Sequence, residues 1–252
     1  MKKILIFMMI LAIAGSASAA NKNTAAKSVE EAHKGLETTV AAGVTLTDGN
    51  SETLSANVTI TIEGEKEGLG SILAGIEGNY GESTVDDVDE KTVENAKIYG
   101  SLKKTLSPRT YASIDAAGLY DDIALIDYRV NVGPSVGVYL FKTEKRELSM
   151  EMGPTYLWEE VDRVTDDYLG IRFGERYTCQ ISETAKIWQS AEYIPEAEDF
   201  DRYLLNAEIG IEASVTKLIS LRLVLQDKYD SQPAADIDRN DVSLIASLGF
   251  TL

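Results

Sequence analysis

The residue types that most often carry chemistry are scarce in this sequence. Histidine occurs once, as His33, and cysteine once, as Cys179. A zinc site built from cysteine and histidine needs several such ligands, and most serine and cysteine hydrolases need a histidine beside the nucleophile. Neither arrangement can be assembled here without His33. The sequence therefore predicts no catalytic residue, no resident metal and no cofactor, and it argues against an enzyme.

Carboxylates are the one abundant reactive group. The 252 residues include 41 Asp and Glu against 24 Lys and Arg, for a formal net charge of −17. This balance argues against nucleic acid as a partner, because a polyanion is bound by clusters of Lys and Arg. Adjacent carboxylates such as Glu159 and Glu160, or Asp121 and Asp122, have the residue type for acid–base work on sugars, but a solvated acidic surface is the simpler interpretation.

The first residues indicate export. Lys2 and Lys3 precede the apolar run 4–14, and 15–19 reads Gly-Ser-Ala-Ser-Ala. A short apolar run between a positive start and an Ala-x-Ala site is typical of a cleaved signal peptide, and it is shorter than the roughly 20 residues of a spanning helix. We therefore predict a signal peptide over residues 1–19. Residues 20–37 show no alternation and are expected to be a periplasmic leader or a short helix.

The remaining sequence, 38–252, alternates between apolar and polar residues. In one example, Val58, Ile60 and Ile62 are separated by threonines, which predicts a strand with one apolar and one polar face. About twelve segments show this pattern. The segments are roughly 38–47, 53–64, 71–81, 92–106, 110–121, 126–141, 147–160, 167–181, 186–194, 202–215, 218–229 and 241–252. Most have the length that crosses a bilayer as a tilted strand, which predicts an all-β fold, an antiparallel transmembrane β-barrel of the outer-membrane type.

The connections and the aromatic residues support this fold. Connections after even-numbered segments are short, whereas most of those after odd-numbered segments are longer and acidic, including 82–91, 161–166, 195–201 and 230–240. Short periplasmic turns alternate with longer outer loops in outer-membrane barrels. Eight aromatic residues on the apolar phase lie next to the acidic loops and are candidates for a membrane-interface girdle. They are Tyr80, Tyr120, Tyr128, Tyr156, Trp158, Tyr193, Tyr203 and Tyr229.

A soluble sandwich or a lipocalin-like barrel would also alternate, but with its larger apolar side chains inside. Alternation alone does not say which face is inside. The long segments, their even number, the pattern of connections and the apolar final segment 248–252 favour the membrane barrel.

Charged residues of both signs lie on the polar phase and are candidates to line the interior. They are Glu77, Lys97, Asp115, Arg129, Glu151, Arg172, Arg176, Glu208, Glu212 and Arg222. Buried charges must be paired or solvated, so the interior is expected to be either a packed network of ion pairs or a narrow wet channel. A barrel of eight strands is filled by its side chains, whereas one of 16 to 18 strands has an open channel. A barrel of about twelve strands lies between these sizes, so the strand number does not show whether the interior is filled or open.

Two functions stay open at this point. The first is a small, cation-preferring channel for ions or small solutes. The second is a non-conducting structural barrel whose acidic outer loops bind divalent cations or a surface partner. Ca²⁺ and Mg²⁺ prefer carboxylate oxygens, and the acidic loop residues are Asp86, Asp87, Asp89, Glu90, Glu196, Glu198, Asp199, Asp201, Asp236, Asp238 and Asp241.

The segment 43–53, GVTLTDGNSET, together with the ending at Leu248-Gly249-Phe250, resembles the YdiY-like family of salt-induced outer-membrane proteins, a domain family of unknown function. The likeness spans about 40–252. It implies an outer-membrane location in a Gram-negative envelope. The expected partners are then membrane lipid, lipopolysaccharide and the barrel-assembly machinery during insertion. The resemblance brings no catalytic residue and no substrate.

Overall fold

In a computed structural model the described residues are 35–48, 53–66, 70–85 and 88–252. These residues form twelve strands and no helix. The strands are β1 (Leu36–Asp48), β2 (Thr53–Lys66), β3 (Gly70–Val85), β4 (Val88–Ser107), β5 (Thr110–Asp121), β6 (Ile126–Lys142), β7 (Arg146–Val161), β8 (Val164–Gln180), β9 (Ala185–Pro195), β10 (Tyr203–Ser214), β11 (Ile219–Asp230) and β12 (Asn240–Thr251). All twelve predicted segments are therefore strands.

Every strand pairs antiparallel with its neighbours in sequence, and β1 pairs with β12 to close the barrel. At this seam, Val40 lies opposite Phe250 and Gly43 lies opposite Ser247. A Cβ atom on Gly43 would lie 2.1 Å from the carbonyl oxygen of Ala246. The seam thus needs a residue without a side chain at position 43, which lies within the segment that carries the family resemblance.

The two faces of the barrel wall are inverted relative to a soluble barrel. Large apolar side chains are exposed on the outer face, such as Ile76 at 54% and Val136 at 62%, whereas Asn57, Ser113 and Thr155 are buried on the inner face. Apolar groups on the outside require an apolar surrounding, because exposing so many to water is unfavourable. The prediction of an outer-membrane-type barrel is confirmed at the level of the fold.

Glycines on the inner face make room for aromatic rings from the neighbouring strand. Gly210 lies opposite Trp188, and a Cβ atom at Gly210 would lie 2.1 Å from the indole ring. Gly137 has the same relation to Tyr111, at 2.1 Å. An aromatic ring lying over a glycine covers the exposed backbone of that strand and fixes the register. These rings fill part of the interior, and Trp188 is only 5% exposed.

Two of the predicted acidic loops are strand instead. Most of 82–91 belongs to the β3–β4 hairpin, since β3 runs to Val85 and β4 begins at Val88. Asp162 and Arg163 alone join β7 to β8, with φ values of 49° and 63°, as in a two-residue hairpin turn. Acidic composition indicated a loop wrongly, because a hairpin with water on both faces tolerates charges on both. The predicted loops after β9 and β11 are present, at 196–202 and 231–239.

The start of the barrel lies slightly earlier than predicted, since β1 begins at Leu36. The predicted signal peptide, the leader up to residue 34 and His33 lie outside the described residues. No helix among the described residues is long and apolar enough to span a membrane.

Candidate functional site: the charged interior of the barrel

Arg172 is the centre of one ion-pair cluster in the interior. From β8 its guanidinium donates hydrogen bonds to Glu192 on β9 at 2.5 Å, to Glu151 on β7 at 2.8 Å and to Asp115 on β5 at 3.3 Å. It also donates to the hydroxyl oxygen of Ser135 on β6, at 3.2 Å. Two strands separate β5 from β8 in the closed order, so the contact with Asp115 runs through the interior. One cation thus ties together four other strands.

Glu151 connects this cluster to the strands on the other side. The ammonium group of Lys103 on β4 lies 3.4 Å from the Glu151 carboxylate, and the Tyr111 hydroxyl donates to it at 2.7 Å. Lys103 also lies 4.8 Å from the centre of the Tyr111 ring, a cation–π contact. Glu151 therefore has cationic partners from two directions, as a carboxylate held away from bulk water requires.

A second cluster crosses the interior nearer the acidic loops. Arg129 on β6 pairs with Glu159 on β7 and donates to Asp230 at the end of β11, at 2.7 Å. Four strands separate β6 from β11 in one direction around the barrel. Asp230 therefore reaches Arg129 across the lumen and not along the wall.

The loop after β9 completes this second cluster. Arg202 donates to Glu159 and to Asp166, both at 2.6 Å, and its guanidinium lies 4.0 Å from the centre of the Tyr168 ring. Burial of Arg202 opposes its charge, but the hydrogen bond to Asp166 and the nearby acidic groups outweigh this and raise its pKa above the ordinary value. Arg202 therefore stays charged across the physiological pH range.

Glu159 corrects the sequence interpretation. The sequence suggests that Glu159 and Glu160 form a solvated acidic surface, but Glu159 is only 5% exposed and holds two arginines. The reason is the alternation of β7, which places Leu157 and Glu159 on the inner face while Trp158 and Glu160 point outward. Neighbouring residues of a strand face opposite sides, so adjacent carboxylates do not act as a pair here.

A third cluster lies on β9, β10 and β11. Glu212 is 3.2 Å from the Arg222 guanidinium and 3.6 Å from the Lys186 ammonium group. The Trp188 indole N–H donates to Glu208 at 2.8 Å, and Arg222 lies 5.3 Å from the centre of the Trp188 ring.

Of the ten predicted lining residues, the structure thus brings seven into these three clusters, namely Asp115, Arg129, Glu151, Arg172, Glu208, Glu212 and Arg222.

The other three predicted lining residues stay apart from the ion-pair clusters. Within the described part of the chain, Glu77, Lys97 and Arg176 have no oppositely charged partner within 4.0 Å. Glu77 accepts a hydrogen bond from Asn79 at 3.4 Å, and Lys97 lies 5.7 Å from the centre of the Tyr99 ring. The inner face of β1 to β4 is held instead by amides and hydroxyls, since Asn79 also bonds Thr45, Asn57 and Asn95 at 2.8 to 3.0 Å.

A cavity of about 130 Å³ lies in the interior next to the 231–239 loop. Its lining includes Lys97, Arg129, Glu192 and Lys228 from the strands. Pro233, Ala234 and Ile237 contribute from the loop after β11, so this loop is part of the cavity wall. The space suffices for several water molecules. Charged walls of both signs can solvate a small ion or a polar solute there.

Apolar side chains narrow the interior beside this cavity. Leu157, Ile194 and Tyr168 form a buried cluster with Leu204 packed against it, and Leu157 has no exposed surface. Trp188, Val224 and Ile245 form a second cluster. The sequence analysis did not predict these two apolar clusters. The available signal was that their members are apolar residues on the otherwise polar, inward-facing phase of their strands.

The predicted girdle aromatics point outward from the barrel. Tyr193, Tyr203 and Tyr229 form a continuous row, with ring centres 5.4 Å and 5.6 Å apart. Tyr156 and Trp158 are 4.6 Å apart, and Tyr80 and Tyr120 are exposed at the corresponding ends of β3 and β5. Tyr128 lies at the start of β6, opposite Glu160. Amphipathic rings at this position suit the boundary between lipid and water.

The acidic residues expected to attract divalent cations do not gather into a site within the described residues, where no group of three or more metal-ligating side chains occurs. Glu196 instead lies 3.4 Å from Arg202. The 86–87 segment lies outside the described residues, as do the side chains of Asp89 and Glu90.

Comparisons with known proteins agree with the fold. The chain is similar to a solved NanC porin, with a TM-score of 0.57 and 10% identity over 84% of this chain and 100% of that one. It is also similar to the translocator domain of the autotransporter NalP from Neisseria meningitidis, with a TM-score of 0.52 and 12% identity over 89% of this chain and 91% of that one. The search of curated proteins found no match. The family model described as "Protein of unknown function, DUF481" matches residues 40–252, and the chain belongs to this family.

Proposed function

We propose that this protein is a narrow channel of the outer membrane that passes ions or small polar solutes and prefers cations. The observation that carries the proposal is the interior itself, where charged residues of both signs surround a cavity while the outer face is apolar. A pore lined by charged rings selects by sign and size. The fold shared with porins supports this reading.

The cation preference rests on the charge near the loops. The cavity lining holds five carboxylates, Asp121, Glu192, Asp230, Asp238 and Asp241, against four basic side chains, Lys97, Arg129, Lys228 and Arg239. The whole chain adds a net charge of −17. An excess of negative charge on the protein raises the local concentration of cations. Cations should therefore be enriched at the mouth of the barrel.

The test is planar-bilayer conductance of the refolded chain, residues 20–252, once a heat-modifiable gel shift shows that it is folded. Discrete steps whose reversal potential in a KCl gradient indicates cation preference would support the proposal. Replacement of Glu192, which lines the cavity, by Gln should then move the reversal potential toward that of a non-selective pore. A folded protein that never conducts, at any voltage or ionic strength, would contradict it.

A non-conducting structural barrel is the second candidate, favoured by one specific observation. Arg129 and Asp230 meet across the lumen, with 2.7 Å between the guanidinium nitrogen and the carboxylate oxygen. The fully buried Leu157 lies in the same part of the interior. In this second candidate these groups stay in place and block the passage of hydrated ions. In that case we propose that the outer loops act instead, holding divalent cations that bridge to lipopolysaccharide phosphates. Calcium-dependent binding of lipopolysaccharide by the silent barrel would support this candidate.

We also infer an outer-membrane location, reached after cleavage of the signal peptide and with the help of the barrel-assembly machinery. The apolar outer face and the outward aromatic row support it. Membership of the narrower YdiY-like, salt-induced group is a further proposal. It predicts that transcript and protein levels rise after a shift to high salt.

A further inference from the structure

The outer face of the barrel carries one polar pair where lipid is expected. Glu175 on β8 and Gln189 on β9 both lie on the outward phase, and the Gln189 amide donates to the Glu175 carboxylate oxygens at 3.3 and 3.4 Å. Their neighbours in register are apolar and exposed. Met150 lies opposite Glu175 on β7, and Ile209 lies opposite Gln189 on β10.

This position is unusual among the outward-facing charged residues of the described strands. The other outward-facing charged residues lie near the strand ends or level with the outward aromatics. Glu94 lies opposite Tyr80, and Asp227 is two positions from Tyr229 on the same face of β11. Glu175, by contrast, lies between Phe173 and Tyr177, inside the apolar band. An ionisable residue facing lipid costs free energy, which makes a partner at that place the default expectation.

We propose that the β8–β9 face is the contact surface for a second copy of this chain, and that the Glu175–Gln189 pair forms its polar centre. A two-fold axis along the membrane normal, passing between β8 and β9, brings Glu175 of one copy opposite Gln189 of the other. By symmetry, Gln189 of the first copy lies opposite Glu175 of the second, so the interface contains this contact twice. Such a surface is self-complementary, as a two-fold interface requires.

The hydrogen-bonding groups suit this arrangement. A glutamine amide has two N–H groups and a carbonyl oxygen, so Gln189 can hold Glu175 of its own chain and still reach the second copy. A carboxyl group facing hydrocarbon takes up a proton instead of remaining charged, and it then has an O–H to donate to the carbonyl oxygen of the facing Gln189. Interactions of this kind hold membrane-embedded surfaces together.

Small residues next to the pair permit close approach of two barrels. Ala191 lies opposite Glu175 on one side and opposite Ala207 on the other. Two adjacent alanines leave a shallow strip beside the polar pair. Other small residues also lie on the outer face, as Ala74, Gly100 and Ala116 do across β3, β4 and β5. In membranes, small residues at an interface let two backbones pack closely. The polar pair selects this part of the wall, and the alanines beside it let a second barrel approach.

The experiment measures association of the folded full-length barrel in proteoliposomes at several protein-to-lipid ratios. Cys179 is the only cysteine of the chain and lies on the same outward phase as Glu175, so a short bifunctional thiol reagent reports on two copies meeting at this face. The wild type should cross-link to a dimer, and Cys179→Ser should abolish the product. A heat-modifiable gel shift verifies folding of each variant.

The double variant E175L/Q189L should weaken dimerisation at least tenfold, measured by sedimentation in a density-matched detergent. The matched control D227L/N240L removes two other outward polar residues, Asp227 on β11 and Asn240 at the start of β12, and it should leave the dimer unchanged. A191W, which keeps the polar pair and fills the strip, should also prevent dimerisation. A wild type that remains monomeric at every ratio, or an E175L/Q189L variant that dimerises as well as the wild type, overturns the proposal.

Discussion

The substitution Arg172→Gln tests whether the interior depends on one cation. The Arg172 side chain is 15% exposed and contacts three carboxylates. Removing one partner of a buried ion pair typically costs about 3–5 kcal/mol. Lys103 and Tyr111 still support Glu151 after the change, and the side chains of Asp115 and Glu192 are partly exposed, at 18% and 29%. We therefore expect the free energy of unfolding to fall by about 2–4 kcal/mol, below the full cost of an isolated buried charge.

The matched control is Arg176→Gln. Arg176 lies on the same strand and on the same inner phase, opposite Ser149 and Ser190, with no acid within 4.0 Å in the described part of the chain. Its replacement should change stability by no more than about 0.5 kcal/mol.

The assay is urea unfolding in detergent, followed by tryptophan fluorescence. A loss of about 3 kcal/mol should lower the midpoint by about 1–3 M urea. The same variant should conduct more, with a stronger cation preference, because a crossing cation is gone and three carboxylates remain. Equal midpoints for the Arg172 and Arg176 variants would refute the assignment of Arg172 as the centre of the network.

Three further predictions concern the pair that crosses the barrel and two glycines of its wall. Arg129→Met and Asp230→Leu should each destabilise the fold by about 2–4 kcal/mol, and the double variant by less than their sum, because each single change leaves a buried charge unpaired; additive losses in a double-mutant cycle would contradict the crossing pair. Gly210→Val should lower the free energy of unfolding by about 1–3 kcal/mol, because the added side chain overpacks the space of the Trp188 ring. The same change should shift the emission maximum of the tryptophan fluorescence, and an unchanged maximum would contradict this contact. Gly43→Val should block closure of the β1–β12 seam, seen as loss of the heat-modifiable band, and a normally folded variant would show that the seam relaxes more easily than the 2.1 Å approach implies.

The strands and their faces could be predicted from the sequence because both depend on local order. Alternation has a period of two, so one apolar residue such as Val58 fixes the face of its neighbours. The inward position of candidate lining residues such as Arg172 and Glu212 followed from the same rule. The hairpins were harder, because the acidic composition of 82–91 hid a continuing strand.

The contacts inside the lumen could not be predicted, because they depend on how the barrel closes. Arg129 and Asp230 are 101 residues apart, and nothing in either segment indicates that they meet. Pairing of Trp188 with Gly210 depends on the register between β9 and β10. Glu159 was misjudged because its neighbour Glu160 suggested a common environment, whereas the pleat separates the two side chains.

The β1–β12 seam has a consequence for how the chain folds. Val40 pairs with Phe250, a separation of 250 − 40 = 210 residues, whereas every other strand pair is formed by neighbours in sequence. Hairpins form from local contacts, but the last pair must wait for loop closure over nearly the whole barrel, which makes it a slow step. Until then β1 and β12 present open edges that can pair with other chains. Seam formation is therefore expected to limit the rate of folding and to be the stage at which aggregation competes.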